Sequence, residues 1–240
     1  MKATSHFAIA HLLYASLQKR GIFLNRTAFV YGNIMPDQTP AMWVAPHFGK
    51  VCTRKSSEIL TELSALPLSS SGRVGAEYSK KLGVMCHYLC DYFCFAHNED
   101  FLGGVKQHMA YENELDTYLR KNCLNVLDMD GRLQVRSFLD TGELMAYGET
   151  AKLEYLEAGH TLERDLTYAF NTCILSIVNV VEMSRKVPAA EMSIELDDFV
   201  TSFKGYATGD NLIFRIFFFK YRNSNLFFLP ELMPPIGALS

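Results

Sequence analysis

The sequence predicts an all-α, single-domain protein in which residues 1–240 form one multi-helix unit. Apolar residues recur every three or four positions along several runs, most clearly over residues 162–186. Few stretches alternate apolar and polar side chains as strands do, and no internal repeat or low-complexity tract divides the chain. With 49% hydrophobic and 20% charged residues, a chain of 240 residues can bury a substantial core.

Charge and composition argue against several classes of function. The net charge of −3 provides no global field that would recruit nucleic acid or an anionic membrane. No apolar run reaches the length of a transmembrane helix, and no secretory signal is visible at the N-terminus. The cysteines form no CxxC pair, and Cys86, Cys90 and Cys94 repeat every four residues as small packing residues do. We therefore expect a cytoplasmic protein, without a stable nucleic-acid complex.

The first predicted helix covers residues 6–18. Thr4 and Ser5 are a candidate N-cap, and Gly21 follows the last turn as a candidate C-cap. His6 lies on the apolar face, whereas His11, five residues on, points about 140° away. The pattern favours His6 as an inward-facing metal ligand and His11 as a surface or packing residue.

Two loop residues are further candidate ligands. After a short predicted helix over residues 26–31, Gly32 and Pro36 punctuate the chain, and Asp37 follows that proline. His47 lies in the segment that is predicted to form the next loop. Taken singly, an aspartate and a histidine in such loops are more typical of a turn and a surface residue than of a metal site.

The first of two central helices is predicted over residues 75–97 and carries three candidate ligands. His87 and Asp91 are four residues apart, so both lie on one face, which is otherwise largely apolar. A buried carboxylate must be paired, protonated or bound to a cation. Nitrogen and oxygen ligands one turn apart suit a zinc-like metal. His97 follows at the end of this helix.

The second central helix is predicted to follow Gly104 and to run to about Asn122, and it repeats the pattern with His108 and Glu112. One such pair is more often a buried hydrogen bond or a solvated helix face. Two pairs on successive helices, with a third histidine between them, favour a shared metal site. Candidate ligands end here, and residues 123–240 are predicted to supply helical packing.

The remaining chain offers structural elements but few chemical motifs. Asp128–Gly131 is predicted as a turn, because the later ligands of a calcium loop are missing. The aromatic-rich residues 214–229 are predicted as a core element, with an oligomer surface or a membrane-interface segment as alternatives. Further helices are predicted over residues 56–65, 132–139, 145–158 and 195–203.

The order of the candidate ligands is specific as a set. In chain order the set is His6, Asp37, His47, His87, Asp91, His97, His108 and Glu112. This order resembles the zinc-dependent phospholipase C family and, more distantly, the S1/P1-type zinc nucleases. The resemblance covers about the first half of the chain, and Glu112 matches the phospholipases, since the nucleases have aspartate there.

The resemblance implies an all-α fold with two to three zinc ions. It implies that one zinc is held by Asp37, His47, His87 and Asp91, a second by His97, His108 and Glu112, and a third by His6 with Asp91 bridging. Secreted members complete the third site with an N-terminal tryptophan, where this chain has Met1. The third site therefore either stays empty or uses a different N-terminal group.

The activity that the resemblance implies is hydrolysis of phosphate esters, with a phospholipid or similar ester as partner. Clustered divalent ions neutralise charge on the phosphate and activate water, which Asp37 or Asp91 could orient as catalytic residues. The alternatives are a nuclease or phosphomonoesterase, or a non-catalytic zinc-stabilised helical protein. Peripheral contact with a membrane is compatible with this reading, and the sequence indicates no oligomeric state.

Overall fold

The protein is all-helical in a computed structural model that describes residues 1–38, 49–69, 73–130 and 135–188, with the backbone alone for residues 124–130. Seven α-helices occur in these ranges: α1 (Ala3–Lys19), α2 (Arg26–Gln38), α3 (Gly49–Ser64), α4 (Ala76–Tyr92), α5 (Val105–Asp130), α6 (Thr141–Glu157) and α7 (Leu162–Arg185). A 3₁₀ turn, η1 (Phe95–His97), follows α4. The described residues contain one isolated β-bridge and no strand, so the all-α prediction is confirmed.

Two helices form the centre of the packing. α1 packs against α2, α5 and α7, and α4 packs against α2, α3 and α7. α1 is buried around most of its circumference, including its polar residues Thr4, Ser5 and His6. Polar side chains in so apolar a setting require partners, and the partners of His6 lie in the site described below.

α7 is long and apolar enough to cross a membrane by length and composition, which differs from the expectation from sequence. Its most apolar window has a mean hydropathy of 1.3, and 67% of that window is buried inside the protein. The Ser184 hydroxyl near its end donates to the Leu63 carbonyl oxygen at 2.6 Å. These contacts are those of a core helix, as the pattern over residues 162–186 predicted.

The predicted N-cap of α1 is wrong. The helix begins at Ala3 with Lys2 in the capping position, so the side chains of Thr4 and Ser5 lie within the helix. Their hydroxyl groups donate instead to Asp116 of α5, at 2.7 and 3.1 Å. A buried carboxylate on a neighbouring helix therefore binds the hydroxyl groups, which a local cap would have used as acceptors of backbone N–H groups. Gly21, with φ of 75°, follows the helix end as predicted.

α2 does not end at Gly32, as the sequence had suggested, but continues through Pro36 to Gln38. Gly32 serves a close approach: a Cβ there would lie 2.1 Å from the Lys80 carbonyl oxygen of α4. Pro36 lies near the helix end, where it removes one backbone donor from the last turns. Asp37 therefore projects from the last turn of a helix and not from a loop.

The first central helix is shorter than predicted, because α4 ends at Tyr92 and residues 95–97 form η1. The Phe95 N–H donates to the Asp165 carboxylate of α7 at 2.9 Å, outside any helical bond pattern. The second central helix kinks at Asn122, near its predicted end, where φ is −118°.

Beyond that kink the backbone stays helical to Asp130, so the predicted Asp128–Gly131 turn is wrong as far as Asp130. The predicted helix over 132–139 is also wrong in its described part, since residues 135–138 have no helical structure. The predictions for residues 195–203 and 214–229, and that for His47, fall outside the described residues.

Candidate metal centre

Six of the predicted ligands form two groups, and the ligand atoms within each group lie within 4.8 Å of one another. The first group is His6 of α1 with His87 and Asp91 of α4. The second is His97 of η1 with His108 and Glu112 of α5. Each group joins separate segments of the chain, and the pairs His87–Asp91 and His108–Glu112, which the spacing assigned to one shared site, fall in different groups.

The first group is built around the buried carboxylate of Asp91. His6 Nε2 lies 3.2 Å from Asp91 Oδ1, and His87 Nε2 lies 3.3 Å from Asp91 Oδ2. The two imidazole rings stack with their centroids 3.9 Å apart. Asp37, at the end of α2, adds a second carboxylate, with Oδ1 3.6 Å from His87 Nε2. His6, His87 and Asp91 therefore converge on one point, and Asp37 lies at the edge of this group beside His87.

His87 is oriented by a backbone group of α2. Its Nδ1 lies 2.9 Å from the carbonyl oxygen of Asn33, which can only accept a hydrogen bond. A proton therefore belongs on Nδ1, and Nε2 is the ring atom that a metal would bind, on the side of Asp37 and Asp91. Without a metal, burial lowers the pKa of His87, but the charge of Asp91 outweighs burial and the pKa is raised. Metal-bound histidines usually have such a second partner, which fixes the tautomer and the ring.

The second group shares one carboxylate oxygen. Glu112 Oε1 lies 3.0 Å from His97 Nε2 and 3.1 Å from His108 Nε2. This group is less enclosed than the first, since the His108 side chain is 27% exposed and that of Glu112 is 13% exposed. The centre therefore opens on the side of His108.

The two groups meet at Asp91 and at the α-amino group of Met1. His97 Nε2 lies 3.7 Å from Asp91 Oδ1. The amino group donates to Asp91 and lies 3.1 Å from Glu112 Oε1 and 2.8 Å from His97 Nε2. A positive charge thus lies between two carboxylates, as a metal cation would.

Electrostatics favour charged carboxylates in this centre. Burial alone would raise the pKa of Asp91, but the charges of His97 and the Met1 amino group outweigh it and hold that pKa well below its usual range. For Glu112, burial raises the pKa and the positive charge of the Met1 amino group lowers it. The net result is again a lowered pKa. Both side chains are therefore carboxylates at neutral pH.

The residues fit zinc. Burial, followed by the charge of His87, lowers the pKa of His6 to about 4, so its imidazole is neutral at neutral pH. Its buried Nδ1 has no hydrogen-bond partner among the described residues, which is a costly state that a further ligand or ion would relieve. Neutral imidazoles and ionised carboxylates are the protonation states that zinc requires.

The turn that carries His97 is held by a buried aspartate that sequence analysis missed. Asp165 accepts hydrogen bonds from the Phe95 N–H at 2.9 Å and from the hydroxyl groups of Tyr111 and Tyr155, both at 2.8 Å. Burial raises the pKa of this carboxyl group despite the three donors. A carboxylate on the apolar face of α7 is the signal that could have revealed it.

A buried lysine holds the same turn from the other side. Lys152 of α6 donates to the Asn98 side-chain oxygen at 2.6 Å and to the Tyr92 carbonyl oxygen. Burial lowers the pKa of Lys152 to about 8. The residues before and after η1 are thus fixed to α6, which constrains His97 between them.

His11 and His160, the other histidines among the described residues, lie outside the two ligand groups. His11 is buried against the Phe7 ring at 4.6 Å and lies 3.3 Å from the Arg26 guanidinium, so it is a packing residue and not a surface one. His160 stacks on the Phe95 ring at 3.5 Å. Glu99 and Asp100, two carboxylates close to His97 in the sequence, are exposed.

The comparison with protein families agrees with this geometry. The sequence model of one family, described as zinc dependent phospholipase C, matches residues 5–162, about two thirds of the chain. No curated protein and no solved structure matched. The match covers α1 from Ser5 onward together with α2, α4, η1 and α5, and thus includes both ligand groups. The chain therefore belongs to the zinc-dependent phospholipase C family, whose members are zinc-dependent hydrolases of phosphate esters.

Proposed function

We propose that the protein is a phosphodiesterase that cleaves phospholipids at a membrane surface in the cytoplasm. The observation that carries this proposal is the position of Asp91, whose carboxylate contacts His6 and His87 on one side and faces His97 on the other. A carboxylate shared between two ligand groups suits a cluster of two or three metal ions better than a single structural ion.

Zinc held by these groups would supply positive charge for the phosphate oxygens and would lower the pKa of water. The chain supplies the remaining features. Asp37 is less buried than Asp91 and lies at the edge of the first group, 3.6 Å from His87, so we assign it the role of orienting the attacking water. Asp91 holds the two groups together. His47 remains a proposed ligand from its position in the resemblance alone.

The exposed edge of the second group favours a large substrate. His108 is accessible to solvent, whereas His6 and His87 are buried. A phosphodiester can therefore approach from the side of His108 with its two substituents outside the protein. A closed structural zinc site has no such open side.

The proposal is tested by measuring zinc per chain together with hydrolysis of a panel of phosphate esters. The panel contains phosphatidylcholine vesicles, a soluble phosphodiester, a phosphomonoester and single-stranded DNA. We expect at least two zinc ions, release of diacylglycerol from the vesicles, loss of activity with a chelator and recovery with zinc.

Two outcomes would contradict the proposal and favour an alternative. Full zinc content without hydrolysis of any ester would indicate a zinc-stabilised helical protein. Preferential cleavage of DNA or of the monoester would indicate the nuclease or phosphomonoesterase function.

A further inference from the structure

Three exposed apolar side chains border the open side of the metal centre. Leu102 is 97% exposed, Val105 is 78% exposed and Met109 is 58% exposed. Leu102 lies in the connection before α5, and the other two lie in its first turns. We call these three residues the apolar rim.

The apolar rim is continuous with the ligands of the second group. Val105 precedes His108 by three residues and Glu112 by seven, so all three lie on one face of α5. Met109 lies one turn after Val105. The ring of Phe101, next to Leu102, contacts the His108 ring with centroids 6.0 Å apart. A molecule seated on the rim therefore also faces the open edge of the centre.

Folding does not account for these side chains. An apolar side chain that is almost fully exposed contributes little to the core, and single ones are common on protein surfaces. Three together beside a candidate catalytic site are a different case, because exposed apolar clusters mark contact surfaces. Leu139, which is 85% exposed just before α6, is an example of an exposed leucine outside the rim.

Charge does not provide an alternative attraction. Lys106 in the rim segment is exposed, but so are Glu99 and Asp100 just before it, and the chain as a whole has a net charge of −3. The surface around the rim therefore has no dominant positive or negative potential that would attract an anionic or a cationic partner. The partner that suits an uncharged apolar rim beside a phosphoesterase centre is the interface of a lipid bilayer.

We infer that Leu102, Val105 and Met109 insert into the interfacial region of a phospholipid bilayer and hold the open side of the metal centre against the headgroups. This inference rests on the proposed function, since it takes the substrate to be a membrane phospholipid. Insertion of three apolar side chains would anchor the protein weakly and reversibly. The binding should depend little on salt.

The test uses the full chain and zwitterionic phosphatidylcholine vesicles. A triple variant, Leu102→Ser with Val105→Ser and Met109→Gln, should bind vesicles at least about 10-fold more weakly than the wild type. Its zinc content and its hydrolysis of a soluble phosphodiester should be unchanged. Leu139→Ser is the matched control and should bind as the wild type does. Equal vesicle binding by the triple variant and the wild type would overturn the inference.

A fluorescent label gives an independent measurement. All six cysteines are buried, so the cysteine of a Leu102→Cys variant would be selectively accessible to a thiol-reactive, polarity-sensitive dye. Vesicles should shift its emission to the blue and protect it from an aqueous quencher, whereas a Leu139→Cys label should not respond. Protection at position 102 before vesicles are added would overturn the inference, since another surface would then cover the rim.

The outcomes also separate this inference from the proposed function. If the wild type hydrolyses no phospholipid but its vesicle binding depends on the rim, the function fails and the inference stands. If phospholipid hydrolysis is normal in the triple variant and its vesicle binding is unchanged, the inference fails and the function stands.

Discussion

Gly32 of α2 and Gly83 of α4 face each other where these helices cross. A Cβ on Gly32 would lie 3.1 Å from the Gly83 Cα, and one on Gly83 would lie 2.2 Å from the Phe29 carbonyl oxygen. The same crossing brings the Asn33 carbonyl oxygen to 2.9 Å from His87 Nδ1. Two residues without side chains thus help to set the direction of a candidate metal ligand.

A methyl group at this crossing should damage both the fold and the site. Gly83→Ala should reduce the free energy of unfolding by about 1–3 kcal/mol or more, because two backbones must move apart. It should also weaken zinc binding, since His87 loses its Asn33 partner. Urea denaturation and zinc titration measure these effects. Gly148→Ala in α6 is the control, since its Cβ would meet nothing within 4 Å and should stabilise by about 0.5–1 kcal/mol. Equal behaviour of the two variants would contradict the role of the crossing.

Asp91→Asn should abolish most activity while the helices remain. The substitution keeps the shape of the side chain but removes the charge that faces His6, His87 and the Met1 amino group. We expect phosphodiester turnover to fall by orders of magnitude and zinc content to fall by at least one ion, with little change in helical circular dichroism. Asp100→Asn, at an exposed aspartate, should leave both quantities unchanged. Full activity in Asp91→Asn would remove Asp91 from the bridging position.

The two histidines of α1 should behave differently. His6→Ala removes an imidazole 3.2 Å from Asp91, so zinc content and turnover should fall. His11→Ala removes a ring packed on Phe7, and its effect should be limited to stability. Zinc analysis and thermal unfolding of both variants measure this difference. The reverse result would show that the wrong face of α1 was chosen.

Asp165→Ala should loosen the turn that carries His97. It leaves the Phe95 N–H and the hydroxyl groups of Tyr111 and Tyr155 without their acceptor. Each buried donor left unpaired should lower the free energy of unfolding by roughly 1–3 kcal/mol. Zinc affinity should fall as well. Asp140→Ala removes the cap of α6 and should cost about 1 kcal/mol without changing zinc affinity. Unchanged affinity in Asp165→Ala would show that the turn is held by other contacts.

Zinc-free protein should lose stability in mild acid. Burial lowers the pKa of His6 from 6.5 to about 4 and that of His11 from 6.5 to about 3. Below about pH 6.5 the unfolded chain therefore binds protons at these two positions that the folded chain does not, so that stability falls with pH toward 4. Burial also acts on His87, but the charge of Asp91 outweighs it and raises the pKa of His87, which opposes part of this loss. The lowered pKa values of Asp91 and Glu112 extend the loss to lower pH.

Urea unfolding with a chelator, at about pH 7.5 and about pH 5, measures this acid sensitivity. His11→Gln should lose less stability between these two conditions, because one of the buried histidines is gone. A stability that is equal at both pH values would contradict the neutral state of His6 and His11.

Helical spacing was enough to predict much of the site. The intervals His87–Asp91 and His108–Glu112 placed each pair on one face without knowledge of the fold, because the geometry of one helical turn is local. The inward direction of His6 followed in the same way from its apolar neighbours. The assignment of individual ligands to individual zinc ions stays a prediction, as does the single domain over residues 1–240.

Interactions between distant elements could not be predicted in this way. The sequence predicted a helix end at Gly32, because glycine disfavours helices locally. Its role is instead to let the backbone of α4 come close, and the position of α4 cannot be predicted from local sequence. The Met1 amino group and Lys152 also act through tertiary contacts. Asp165 was detectable in principle, since it lies on the buried face of α7.

The contacts that build the metal centre join residues that lie far apart along the chain, and this separation should slow the assembly of the centre during folding. The Asp91 carboxylate meets His6 across 85 residues, and the Phe95–Asp165 hydrogen bond spans 70. Closing such intervals is slow compared with forming helices, because loop entropy is lost before the contact forms. Zinc competence should therefore return after the helical signal during refolding, so that metal uptake reports the final step of assembly.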